Sequence, residues 1–152
     1  LKEDKDAMQF LENSPAANGF PEKLISKKMK KALKKAYGYK DFNDVAGRQN
    51  YKDLIPLYQK TKQEHPSLQL EEGMLNTLGL RLSFDPLKAK QGINVFLLAL
   101  HIYPESANLY DSLAEAYFYN KDHQNAIVNF KKSLALNPEN QNAIDKLKEL
   151  DR

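Results

Sequence analysis

Few residues in this chain are able to do chemistry, and their spacing limits what they could do. There are three His, at 65, 101 and 123, and no Cys. Without a thiol there is no disulfide framework, no thiolate metal site and no cysteine nucleophile. His65 precedes Pro66, His101 lies just before Pro104, and His123 follows Asp122 in what reads as a turn between helices. No two of them stand at the helical spacing that holds zinc, and no carboxylate motif accompanies them. A serine nucleophile needs the sharp Gly-x-Ser-x-Gly turn, and a phosphate loop needs clustered glycines; neither occurs. Asp111/Glu115 and Asp145/Glu149 are acid pairs at i,i+4, a spacing ordinary on a solvated helix face. A thin helical array gives such carboxylates no cleft in which to shift their pKa. The expectation is a chain with no catalytic residue, no metal and no cofactor.

Charge offers a second kind of chemistry. The chain of 152 residues carries a net +3, yet positions 21–40 hold eight Lys against one Glu and contribute +7, so the rest of the chain carries −4. Lys23, Lys27, Lys28, Lys30, Lys31, Lys34 and Lys35 could track phosphates or an anionic membrane. Against nucleic acid, no aromatic is interleaved on the charged face. Against a membrane, the apolar stripe holds no bulky anchor beyond Leu33 and Tyr37. The remaining readings are a solvated face of a packed helix, or a basic helix lying near acidic residues of its own chain.

The elements that would position these residues are all helical. Length and composition fit one domain, and no apolar run reaches the roughly 20 residues of a membrane span. The opening "LKEDKDAMQF" is charged from its second residue and begins without Met, which reads as a processed protein or an excised fragment. Residues 1–20 form a partly ordered lead-in with a short helix over Ala7–Glu12. Pro21 and Gly38 bracket a helix whose stripe is Ile25, Met29, Ala32, Leu33, Ala36 and Tyr37, and "YKDFNDVAGRQN" follows as a connector. A second helix is predicted from Asn50 to Glu64, completing an N-terminal region at 21–66. Further helices are predicted at 71–84, from Ala89 to about Tyr103, and at 107–120, 123–136 and 140–150. No alternating strand appears.

The stretch from Asn108 to Asn140 sets small residues among aromatics. Tyr110, Leu113, Ala114 and Tyr117 are followed by Ala126, Phe130, Ser133 and Pro138. The last three recur as Phe96, Ala99 and Pro104 at a period of about 34 residues, and Gly92 stands for Ala126. Leu75, Leu78, Gly79 and Leu82 repeat the first-helix spacing, displaced by one position, as an insertion in the turn Phe84–Lys88 would do. Leu54, Tyr58 and Pro66 match the second helix of a weaker third copy. Two antiparallel helices approach closely only where a small side chain faces a large one. The competing reading is a generic helical hairpin that happens to use alanines.

These positions resemble the tetratricopeptide (TPR) repeat, with Tyr for the usual Trp and Ala for the usual Gly. The resemblance implies a right-handed α-solenoid of antiparallel helix pairs, about seven helices in all. Its repeats would be residues 72–106 and 107–140 within a region 71–152. In the cap, 140–150, Ile144 and Leu147 face inward while Asp145, Lys146, Lys148 and Glu149 face water, so the array is expected to end at or near Arg152. "EEGMLNTLGLRL" and the run through "YPESANLYDSLAEAY" further resemble the C-terminal tail of Bacteroidetes exported esterases and serine β-lactamase-like hydrolases. That likeness covers about residues 70–152. It implies an accessory region, with the catalytic domain elsewhere in the polypeptide, and a periplasmic or secreted setting.

The TPR resemblance also implies a concave groove lined by first-helix residues: Asn76, Leu80, Asn108, Asp111, Glu115, Phe118, Asn142, Asp145 and Glu149. Such a strip is acidic and amide-rich with one aromatic, and would favour a basic extended or helical segment. The competing reading is a solvated face with no ligand. The cationic clamp that chaperone-binding members use is missing in the repeat 107–140, where Asn108 and Ser112 occupy its places, so a chaperone-tail receptor is not expected. Three functions follow in order. The first is a non-catalytic module binding a protein, a peptide or a neighbouring domain. The second is the accessory region of a hydrolase, and the third is anion binding through the Lys-rich helix.

Overall fold

The computed structural model describes residues 27–151. Among them are seven α-helices and no strand. They are α1 Lys27–Arg48, α2 Leu54–Glu64, α3 Glu72–Ser83, α4 Ala89–Ile102, α5 Ala107–Tyr119, α6 His123–Leu136 and α7 Gln141–Leu150. The fold is all-α. The helix expected over Ala7–Glu12, the helix start at Pro21, and Lys23 and Ile25 lie outside the described residues. So do the side chains of Lys28, Met29, Lys30, Leu33 and Lys34. The chain divides into two compact units: one runs up to Gln49 and includes Pro56–Leu70, the other is Asn50–Ile55 with the chain from Glu71 on.

In the first unit, Gly38 does not stop the helix. α1 runs through it to Arg48, and the expected connector is helical. Phe42, Val45 and Ala46 supply the three- and four-residue steps that carry it on; Phe42 and Ala46 are buried, and Lys40 pairs with Asp44 one turn along. The glycine answers a packing need instead. A Cβ on Gly38 would lie 2.8 Å from the Cβ of His65. His65 is buried, its Nε2 is 3.1 Å from Asp41 Oδ2, and its ring centroid is 5.2 Å from that of Tyr37. The expected stripe needs a further correction: Ala32 and Ala36 are exposed.

The second expected helix starts late. Asn50, Tyr51 and Asp53 have φ of 50°, 55° and 49°, so this stretch is a left-handed turn that no helix can traverse. α2 begins at Leu54, which places Pro56 in its first turn. There the missing N–H has no intrahelical partner to lose.

In the second unit, helices joined by short turns pack back to back. α3 packs along α4 and α5 along α6, while α4 meets α5, α6 meets α7, and α3 also touches α5. Short connections force each pair to be antiparallel. Ala114, Ala126, Phe130 and Ala143 are fully buried in one cluster, with Tyr117, Phe118, Leu134, Leu147 and Leu150 packed around it. Leu113, Phe96 and Ala99 are buried too. Ser133 is sealed from solvent; its hydroxyl donates to the Ala107 carbonyl at 2.9 Å and accepts from Asn140 Nδ2 at 2.9 Å. Tyr110 is half-buried, with Lys132 Nζ 5.4 Å from its ring centroid, whereas Pro104 and Pro138 are exposed in the turns after α4 and α6. Each helix from α5 to α7 opens on an N-cap: Ser106 accepts from Leu109 N–H, Asp122 from Asn125 N–H and Asn140 from Ala143 N–H.

Candidate functional site

Steps of four and three residues put Asp111, Glu115 and Phe118 on one face of α5. The same rule puts Asn142, Lys146 and Glu149 on one face of α7. The structure brings these two rows together. Asn142 Nδ2 donates to Asp111 Oδ2 at 2.9 Å and to Glu115 Oε1 at 3.3 Å. Asn140 Nδ2 donates to Asp111 Oδ1 at 2.9 Å, while its Oδ1 caps α7. Both oxygens of Asp111 are thus held by amide protons from the start of α7. A continuous chain of hydrogen bonds runs from the Ala107 carbonyl through Ser133, Asn140, Asp111 and Asn142 to Glu115.

This arrangement sets the electrostatics. Partial burial pushes the Glu115 carboxyl above its usual value and the neighbouring Asp111 adds to the rise, while the Asn142 hydrogen bond and Lys146 oppose it. A cation arriving near Glu115 would favour its charged form and offset the repulsion from Asp111. Phe118 closes one end of the strip. Its ring is 5.8 Å from Tyr119 and 5.8 Å from His123, both steeply tilted, and Tyr119 meets Phe84 edge-on at 4.8 Å. Tyr119 and Phe84 are about half exposed, at 57% and 50%. An aromatic rim therefore borders the acidic strip.

Lys146 overturns one expectation. It is only partly in water: its side chain is 24% exposed, and Nζ lies 4.3 Å from the Phe118 ring centroid and 3.0 Å from Glu149 Oε2. Hydrogen bonding to Glu149 raises its pKa, so it stays a cation. It stands one repeat period after Ser112, so the place that is neutral on α5 is cationic on α7. Its spacing of four from Asn142 is the signal that the sequence offers. The strip is accordingly acidic and amide-rich with a single ammonium set against its aromatic.

The other expected groove residues are less engaged. Asn108 is exposed; Leu80 and Asn76 are half-buried on α3, and Asn76 Oδ1 has no hydrogen-bond partner. Asp145 is exposed and accepts from Gln141 Nε2 at 2.8 Å. A link absent from the expectations joins α3 to α5, where Ser106 Oγ donates to Glu72 Oε1 at 2.7 Å. On α1, Lys27 and Lys31 are exposed and Lys35 is half-buried.

The histidines do not converge. His65 lies in the first unit, His101 is exposed in the last turn of α4, and His123 is the first residue of α6 rather than a turn residue. Among the described residues, no group of three or more His, Asp or Glu could hold a metal, and no helix is long and apolar enough to cross a membrane.

No family model matches the chain, and no curated protein matches it.

Proposed function

We propose that this chain is a non-catalytic helical-repeat module of the tetratricopeptide type, and that it binds a protein segment or a neighbouring domain along the α5/α7 face. The observation that carries this is the carboxylate pair Asp111/Glu115, held by Asn140 and Asn142 beside Phe118. Fixed carboxylates cost little further ordering when a ligand arrives, so their attraction is available for binding. The raised Glu115 carboxyl favours an ammonium or guanidinium, and the rim of Phe118, Tyr119 and Phe84 favours an apolar neighbour on the same segment. The ligand is therefore a basic segment with an apolar or aromatic residue beside its cation. The resemblance of residues 70–152, read from the sequence alone, to the tails of exported serine hydrolases would make the partner a catalytic domain of the same polypeptide.

The test is a fluorescence-anisotropy titration with a labelled 12-residue peptide alternating Lys and Leu, against the same peptide with Glu for Lys. The Lys peptide binds more tightly, and Glu115→Gln or Phe118→Ala weakens it about fivefold. Equal binding of the two peptides would end the proposal. So would unchanged binding by both variants at retained helicity.

A further inference from the structure

The α6/α7 side of the second unit carries a second surface of opposite character. An open groove of about 410 Å³ lies between α6 and α7, lined by Ile127, Leu147 and Leu150 with Lys131, Lys148 and Asp151 at its edges. Its register explains it. On α5, Leu113 and Ala114 are buried and Tyr117 is half-buried, packed against α6. The residues one repeat period later are Leu147, Lys148 and Asp151. The apolar position persists: Leu147 packs on the Ala114–Ala126–Phe130–Ala143 cluster. The two positions that would press against a following helix have become charged. Lys148 has a side chain 68% exposed, 3.9 Å from Asp145, and Lys131 is exposed.

A helix of the kind that covers α5 could not readily settle here, because it would bury the Lys148 ammonium with only the long 3.9 Å pair to Asp145 to offset its desolvation. A helix bearing a carboxylate opposite Lys148 could. We infer that the α6/α7 groove docks an acidic amphipathic helix of a partner protein. Its leucine-like anchors fill the space among Ile127, Leu147 and Leu150, and its carboxylates face Lys131 and Lys148. A basic or amide residue on the docked helix meets Asp151 at the far end. The ten residues of α7 span about 15 Å, room for between two and three turns of a docked helix. This is the helix-in-groove mode of recognition, with the charges on the rim setting which helix is accepted. The surface is separate from the α5/α7 face and prefers the opposite charge.

The experiment is an anisotropy titration of the full chain with a labelled 14-residue helical peptide. Its Leu residues stand at three- and four-residue steps, with Glu beside them. The acidic peptide binds the wild type, and the same peptide with Lys for Glu binds about tenfold more weakly. The double variant K131E/K148E reverses the preference. K131Q/K148Q, which adds no charge, weakens the acidic peptide about threefold, and melting by circular dichroism shows both variants folded. The inference is overturned if acidic and basic peptides bind the wild type alike, or if K131E/K148E leaves the preference in place. It is also overturned if sedimentation shows a wild-type dimer that K131E/K148E disperses, since the occupant is then a second copy. Binding of the basic peptide at the α5/α7 face is read independently, with E115Q, so either surface can fail alone.

Discussion

The two helix pairs α3/α4 and α5/α6 solve one packing problem with different residues. In α5/α6 the close approach is made by Ala114 and Ala126, both fully buried beside Phe130. In α3/α4 it is made by Gly79 and Gly92. A Cβ on Gly79 would lie 2.7 Å from the Phe96 ring, and one on Gly92 would lie 2.5 Å from the Ser83 nitrogen and 2.6 Å from the Gly79 carbonyl oxygen. Ala114 and Ala126 already carry a methyl at the matching places. The glycine pair is limited at Gly92 by backbone, which cannot shift without moving a helix. The pairs also differ in their turns: residues 84–88 join α3 to α4, whereas residues 120–122 join α5 to α6. The turn is two residues longer, and α3 ends one residue sooner after Gly79 than α5 does after Ala114, which together leave the one-position displacement between the two copies. One repeat pattern thus accommodates a methyl at Ala126 and excludes one at the matching Gly92.

Substitutions at matched positions would break or sharpen that contrast. Gly92→Ala should cost about 3 kcal/mol or more, because the added methyl meets main chain on α3. Adding Ser83→Gly to it should recover little, since only the clash with the hydroxyl is relieved; full recovery of the melting temperature would show that the backbone approach is not limiting. Ala126→Leu, at the matching position of α5/α6, should cost about 1–3 kcal/mol by urea titration. A loss equal to or above that of Gly92→Ala would erase the distinction.

Ser133→Ala should cost about 1–2 kcal/mol, leaving the Ala107 carbonyl and one proton of Asn140 without their partner. The corresponding Ala99 in the first copy has no such hydroxyl, so Ala99→Ser should bring no matching gain. Glu115→Gln is smaller and opposite in sign. The folded-state carboxyl stands above its ordinary 4.5, so its ionisation disfavours folding. That penalty is absent well below 4.5, grows as pH rises toward the raised folded value, and is complete above it. The variant should therefore be more stable at pH 7, by less than about 1 kcal/mol after solvent screening, and should show no advantage at pH 3. Melting curves at the two pH values check this, and a gain at both would assign it to packing. Lys131→Ala, on the exposed face of α6, should change stability by under about 0.5 kcal/mol.

The helices of the second unit are legible because their signals are local. Apolar steps, N-caps and small-against-large spacing recur with the repeat, and each is read within one or two turns of chain. The first unit is harder. "YGYKDF" holds a glycine that reads as a stop, and only its proximity to His65 shows that it serves a close approach inside a helix. Asn50–Asp53 reads as helix-compatible, yet three residues take positive φ there. Within the candidate face, Asp111, Glu115, Phe118 and Asn142 are named in advance only through the tetratricopeptide resemblance. Lys146 reads as solvated, because it falls among the charged positions of a helix expected to cap the array; the Phe118 ring and Glu149 hold it instead.

The sequence by itself determined an all-helical chain, a repeat period and the positions where small residues meet rings, because burial period and residue size act over short stretches of chain. Tertiary structure alone decided which polar groups meet. Asn142 reaches Glu115 across 27 residues and Asn140 reaches Asp111 across 29, and only the stacking of one helix on another brings them within a hydrogen bond. It likewise decided that α7 leaves an apolar groove edged by lysines, since that surface is formed by two helices together and by neither one alone.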